Sequence, residues 1–206
     1  MISTTPASKL PTFPRVKAYI DALPEGWDCC PTYHAKGALL LHCLEVKPLA
    51  ESSEMPSQLQ RVLRQPPLAS EWISEATYCA VNLAIADHYH LDETGFRQFY
   101  YDVMSRMATS RIYQLLFGFV TPDTLLGAAA RYWGRFHQGV SLRAVPRGND
   151  GILYTVTWPT GLVPELVAHG YAGVFERVAE LSRRGKPRIE IVQIGASGAA
   201  YRLHQS

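Results

Sequence analysis

The stretch VSLRAVPRGNDGILYTVTW, residues 140–158, decides the fold class. Val140 to Val145 alternates in polarity, and Ile152 to Trp158 alternates again. A period of two belongs to a strand, whose successive side chains point to opposite faces. Between the two runs, Arg147-Gly148-Asn149-Asp150-Gly151 is a hairpin signal, because Asp-Gly supplies the backbone twist that a tight turn needs.

Downstream, Val163 to Arg183 has helical periodicity with Gly170 and Gly173 inside it, and Arg184-Gly185-Lys186-Pro187 stops it. Ile189 to Ile194 reads as a strand, Gly195 to Gly198 as a turn, and Ala199 to Leu203 as a last strand. The order β-β-α-β-β predicts an antiparallel four-stranded sheet with one face packed on helices. Upstream of Gly139 the period is helical. Residues 15–23 place Val16, Tyr19, Ile20 and Leu23 on one face. Ala38 to Leu44 fits a helix or a strand, and Ser57 to Arg64 fits a short helix. Helices are expected over Glu71–His88 with Ser70 as cap, and over Glu93–Met107 with Asp92 or Thr94 as cap. An apolar helix is expected over Ser110–Phe119, and another over Thr121–Phe136, where Pro122 suits the first helical position. Helices followed by strands make the chain α+β. Residues 1–14, with Pro6, Pro11 and Pro14, read as a flexible arm, and 15–206 as a single domain.

Composition sets the outer bounds. The 206 residues are 47% hydrophobic and 18% charged, which excludes disorder for most of the chain and points to a buried interface or an apolar pocket. A net charge of +2 without a basic stripe argues against nucleic acid as a partner. No apolar run approaches the ~20 residues of a membrane span. The N-terminus lacks the pattern of a signal peptide, so a cytoplasmic protein is expected. Cys29, Cys30, Cys43 and Cys79 fit no zinc spacing, and read as small core residues of a reduced protein.

The layout resembles a superfamily that includes heme-nitric-oxide/oxygen-binding domains, vinyl-4-reductase-type domains and Bet3-like trafficking subunits. It is most similar to a multi-copy myxobacterial family of uncharacterised function. The resemblance is carried by Leu23-Pro24-Glu25-Gly26, Tyr33-His34-Ala35-Lys36-Gly37 and Thr121-Pro122 leading into Arg131-Tyr132-Trp133. Gly139, Trp158-Pro159 and Gly170-Tyr171 add to it. It implies a pocket between helices and sheet, filled in sensor members by a heme, an aromatic molecule or an acyl chain, and it implies frequent homodimers.

A gas-sensing member would need a proximal His on the helix before the sheet and a Tyr-x-Ser-x-Arg motif for the heme propionates. That helix offers only His137, at its frayed end, and the motif is absent. No cofactor is therefore expected to be required, and His137 is the weak candidate for an axial metal ligand. His88 and His90 near Asp87 and Asp92 read as helix-end residues. Cys29-Cys30 with His34 and Lys36 could form a thiol–base pair, though a structural turn is the plainer reading.

The densest signal is aromatic and methionine side chains on helices. Phe99, Tyr100, Met104, Met107, Tyr113, Phe117, Tyr132, Trp133 and Phe136 are the candidate ligand-binding residues. Such a wall suits a small hydrophobic or aromatic ligand. Arg106, Arg111 and Arg131 could meet a ligand carboxylate, or pair with Asp102. The expectation is a small-molecule-binding sensory or regulatory domain, homodimeric, passing its signal to a separate partner. The alternatives are an enzyme acting on a bulky apolar substrate, with Tyr100 and His137 as acid–base candidates, a heme-based gas sensor, and a structural assembly subunit.

Overall fold

The computed structural model describes residues 13–109, 132–148, 151–181 and 187–204. The expected helix over 110–119, most of that over 121–136, and the arm up to residue 12 lie outside them. Phe13 and Pro14, which the sequence assigns to the end of the arm, belong to the fold: Phe13 is buried and Pro14 opens α1 (Pro14–Ala22). Residues 37–46, ambiguous in sequence, are helix α2 (Gly37–Val46), and α3 spans Ser57–Arg64.

The central helix α4 (Glu75–His88) starts later than the sequence suggests, because Trp72, Ile73 and Ser74 form a strand instead. Tertiary pairing overrides the helical pattern here, and a bulky, β-branched pair suits a pleated surface. Three short strands make one sheet: β1 (His34–Lys36) in the middle, β2 (Trp72–Ser74) on one side and β3 (His137–Gln138) on the other, both antiparallel. Nothing in the sequence pattern announces this sheet, since its strands are three residues or fewer.

Helix α5 (Glu93–Ala108) is capped by Asp92, whose side chain accepts from the Gly95 N–H, one of the two expected caps. The second sheet is as expected: β4 (Ser141–Pro146), β5 (Ile152–Thr157), β6 (Arg188–Gly195) and β7 (Gly198–His204), in the antiparallel order β4-β5-β7-β6. The crossing helix α6 (Glu165–Leu181) joins β5 to β6 and packs between this sheet and α5. Its Phe175 stacks on Tyr154 of β5 at 4.8 Å, and Tyr201 of β7 donates to the Ala168 carbonyl at 2.6 Å.

Helix α1 has no capping side chain of its own. Asp87, at the far end of α4, supplies the acceptor: its Oδ2 takes the Arg15 N–H at 3.0 Å. Burial holds the Asp87 carboxyl above the usual carboxylate range, outweighing the backbone hydrogen bonds and the Arg15 charge that act the other way. The folded chain therefore keeps a proton that the unfolded chain releases, so this residue's contribution to stability falls as pH rises through the carboxylate range. Asp87→Asn should remove that decline. Urea midpoints measured from about pH 4 to about pH 7 should converge between variant and wild type at the acid end. Parallel pH profiles would refute it.

Candidate functional site

The three-stranded sheet assembles a site that no local stretch contains. β2 feeds directly into α4, so Glu75 emerges at one edge of β1, and β3 brings His137 to the other edge through the pair Ala35↔His137. The Glu75 N–H donates to the Tyr33 carbonyl at 3.0 Å, which ties the start of α4 to the turn before β1. Gly139 follows β3 with φ +87, and the Tyr33 ring lies against it, 2.4 Å from where a Cβ would stand. Only glycine tolerates both the backbone angle and that contact.

Glu75 is fully buried and His137 nearly so, and His137 Nδ1 pairs with Glu75 Oε2 at 3.1 Å. The His137 ring stacks on Trp133 at 4.5 Å and meets the edges of Tyr78 and Tyr171 at 6.1 and 6.3 Å. Trp133 is held by its own indole N–H, which donates to the Val140 carbonyl at 3.0 Å. His137 is thus a buried strand residue with a carboxylate partner, and the expectation of a frayed helix end is corrected. What holds it is a hydrogen bond across 62 residues of chain.

Above the pair, the Tyr78 and Tyr100 hydroxyls lie 3.2 Å apart, and Asn82 Nδ2 donates to the Tyr78 carbonyl at 2.9 Å. Burial pushes the phenols of Tyr78, Tyr100 and Tyr171 well above their ordinary range, and the Cys43 thiol up to about 12. These groups remain neutral at physiological pH, so they offer hydrogen bonds and not charge. Three buried polar atoms of this cluster have no partner among the described residues: Glu75 Oε1, Asn82 Oδ1 and the Tyr171 hydroxyl. His137 Nε2 also makes no hydrogen bond among the described residues.

A cavity of about 80 Å³ opens beside this cluster. Tyr100, Met104, Met107, Trp133 and Phe136, all expected ligand residues, line it. So do Tyr78, His137 and Tyr171, together with Leu39, Val103 and Val174. Phe99 is buried against Phe96 and Tyr100 and is not part of the wall. Tyr132 is outside the wall too and carries the Arg135 guanidinium over its ring at 5.4 Å. Tyr113, Phe117, Arg111 and Arg131 lie outside the described residues. Arg106 pairs with Glu45 at 3.2 Å, and not with Asp102 or the cavity.

Sequence reasoning misses Glu75 and Tyr171. Glu75 carries a faint signal, a carboxylate heading an alanine-rich helix whose residues are nearly all buried. Among the described residues no group of three His, Cys, Asp or Glu is placed to hold a metal ion, and His88 and His90 are exposed at the end of α4.

Family profiles and curated protein sequences yield no match to this chain. Solved structures do. An oxygen-binding H-NOX domain related to soluble guanylate cyclases superposes with a TM-score of 0.57 at 11% identity, covering 82% of this chain and 91% of that one. The chain has the fold of H-NOX domains. An H-NOX protein from S. oneidensis, in its Fe(II)NO state, gives 0.57 at 11% identity over 83% and 99% of the two chains. A T. tengcongensis H-NOX variant gives 0.51 at 10% identity over 94% and 96%.

Heme is the group that the H-NOX fold brings into question, and these neighbours make it a stronger candidate than the missing motif alone would. One observation favours it: His137 has a carboxylate on Nδ1 and an Nε2 without a partner among the described residues, the arrangement that orients an imidazole toward a metal. Two observations oppose it. The cavity, at about 80 Å³, is far below the ~300–1,000 Å³ of pockets for larger ligands. No Arg or Lys among the described lining residues meets a propionate. The described residues, as placed, do not fit heme.

Proposed function

We propose that this chain is a sensory ligand-binding domain whose ligand site is the cavity beside Glu75 and His137. The observation that carries the reading is an apolar wall of aromatic and methionine side chains ending on buried polar atoms without partners among the described residues. Unpaired buried polar groups cost stability, about 1–3 kcal/mol each, and persist where something else uses them. The ligand is small, because an apolar cavity of roughly 150 Å³ is what benzene needs and this one is about half that. It is neutral, because no cation lines the cavity among the described residues and a carboxylate sits at its base. It carries one hydrogen-bonding group for His137 or Tyr171 on an otherwise apolar body. Homodimerisation is part of the same proposal, resting on the resemblance of the sequence pattern.

Methyl NMR of Met104 and Met107 tests it, with xenon and ethanol as probes and hemin as the competitor. Saturable shifts with either small probe are expected. Tyr171→Phe, which deletes only the unpartnered hydroxyl, should weaken ethanol binding about fivefold and leave xenon binding unchanged. No shift with xenon or ethanol, with a Soret band on hemin addition that His137→Ala abolishes, would replace this reading by a heme-based one.

A further inference from the structure

The turn ahead of β1 carries chemistry that the cavity does not use. Cys29 Sγ and Cys30 Sγ lie 3.2 Å apart, closer than two sulfurs sit by mere packing. Cys29 is buried, Cys30 is partly exposed, and Cys30 holds a left-handed backbone with φ +56. We infer that Cys29 and Cys30 close reversibly into a disulfide between adjacent residues, and that this closure regulates the Glu75–His137 cavity. The second half rests on the reading of that cavity as the ligand site.

Adjacent Cα atoms are only ~3.8 Å apart, below the usual ~4.4–6.8 Å across a disulfide. A bond made there is strained and easily reduced, which suits a switch and not a staple. The oxidant is hydrogen peroxide. The Cys30 thiolate attacks one peroxide oxygen, the O–O bond breaks, and hydroxide leaves and takes a proton from solvent to become water. The Cys29 sulfur then displaces the remaining oxygen from the Cys30 sulfenic acid, again as water, and the S–S bond forms. Both thiols are oxidised, and the peroxide is reduced to water. Burial, and a hydrogen bond shared with Cys29, push the Cys30 thiol up to about 11. Closure should therefore accelerate about tenfold per pH unit below that value, as the thiolate fraction grows.

The route to the cavity is short. The Cys30 carbonyl accepts from the Tyr33 N–H at 2.9 Å, closing the turn through Pro31 and Thr32. The Tyr33 carbonyl accepts from the Glu75 N–H at 3.0 Å, and Glu75 holds His137. Closing the eight-membered ring resets the torsion about the Cys30 N–Cα bond, and the Cys30 carbonyl, the first of these acceptors, turns with it.

The experiment treats the reduced full chain with hydrogen peroxide and maps the peptide holding Cys29 and Cys30 by mass. The expected result is a loss of two hydrogens within that peptide, reversed by dithiothreitol and absent in Cys30→Ser. The Tyr33 and Glu75 amide signals should shift and return with it, and ethanol affinity should change at least threefold. Added oxygen atoms on Cys30, or a pairing with Cys43 or Cys79, would overturn the disulfide. A reversible disulfide with unmoved Glu75 signals and equal ethanol binding would overturn the regulation. If the disulfide forms and ethanol binds neither redox state, the ligand reading fails and the cysteine chemistry stands.

Discussion

Gly173→Ala is expected to destabilise the protein by about 3 kcal/mol, and Gly173→Val to abolish cooperative folding. Helix propensity alone predicts the opposite sign, because alanine is favoured over glycine by about 1 kcal/mol in a helix interior. The reason for the reversal is a backbone-on-backbone approach. A Cβ at Gly173 would stand 2.1 Å from the Arg97 carbonyl oxygen and 3.0 Å from the Tyr101 nitrogen of α5. A carbonyl inside a helix cannot rotate aside, so the whole of α5 would have to move off α6. That movement would break the Arg97–Glu176 ion pair at 2.8 Å and loosen the Tyr100 wall of the cavity. Gly170 is the internal control. Its Cβ would stand 2.8 Å from the Tyr100 ring, a side chain that can tilt, so Gly170→Ala should cost less than half as much. Urea denaturation of the two variants decides the matter. Equal effects, or a stabilised Gly173→Ala, would show that the helices are not in backbone contact there.

Glu75→Ala should cost about 2–4 kcal/mol, because it leaves His137 buried with its Nδ1 unpaired. The double variant Glu75→Leu with His137→Phe should recover most of that loss, since an apolar pair of similar volume replaces a buried polar pair at little cost. Recovery of stability should come with loss of hydrogen-bond selectivity in the cavity: ethanol binding should weaken while xenon binding persists. A double variant as unstable as Glu75→Ala would mean that Glu75 acts through packing alone.

Much of the architecture is legible in the order of the amino acids. The hairpin over 140–158 and the ββαββ order can be read there because strand and helix periods are local properties of side-chain order. Asp92 is recognisable as a cap because capping needs only a short polar side chain three residues before the N–H it accepts. Tyr100, Met104, Met107, Trp133 and Phe136 stand out by their density, and they share one wall. Phe99 belongs to the same pattern and sits beside the cavity in the core. Helical spacing alone cannot separate a wall from the layer behind it, since both are written in the same apolar residues.

The amino-acid order by itself determined the class of the fold, the described long helices and the strands of the four-stranded sheet, because strand and helix periods are written within a few residues. The tertiary structure alone decided the site. Glu75 and His137 stand 62 residues apart, and they meet only because β1 pairs with β2 on one edge and with β3 on the other. Strands of two or three residues carry no periodicity to read. Their pairing is set by the packing around them, which is non-local.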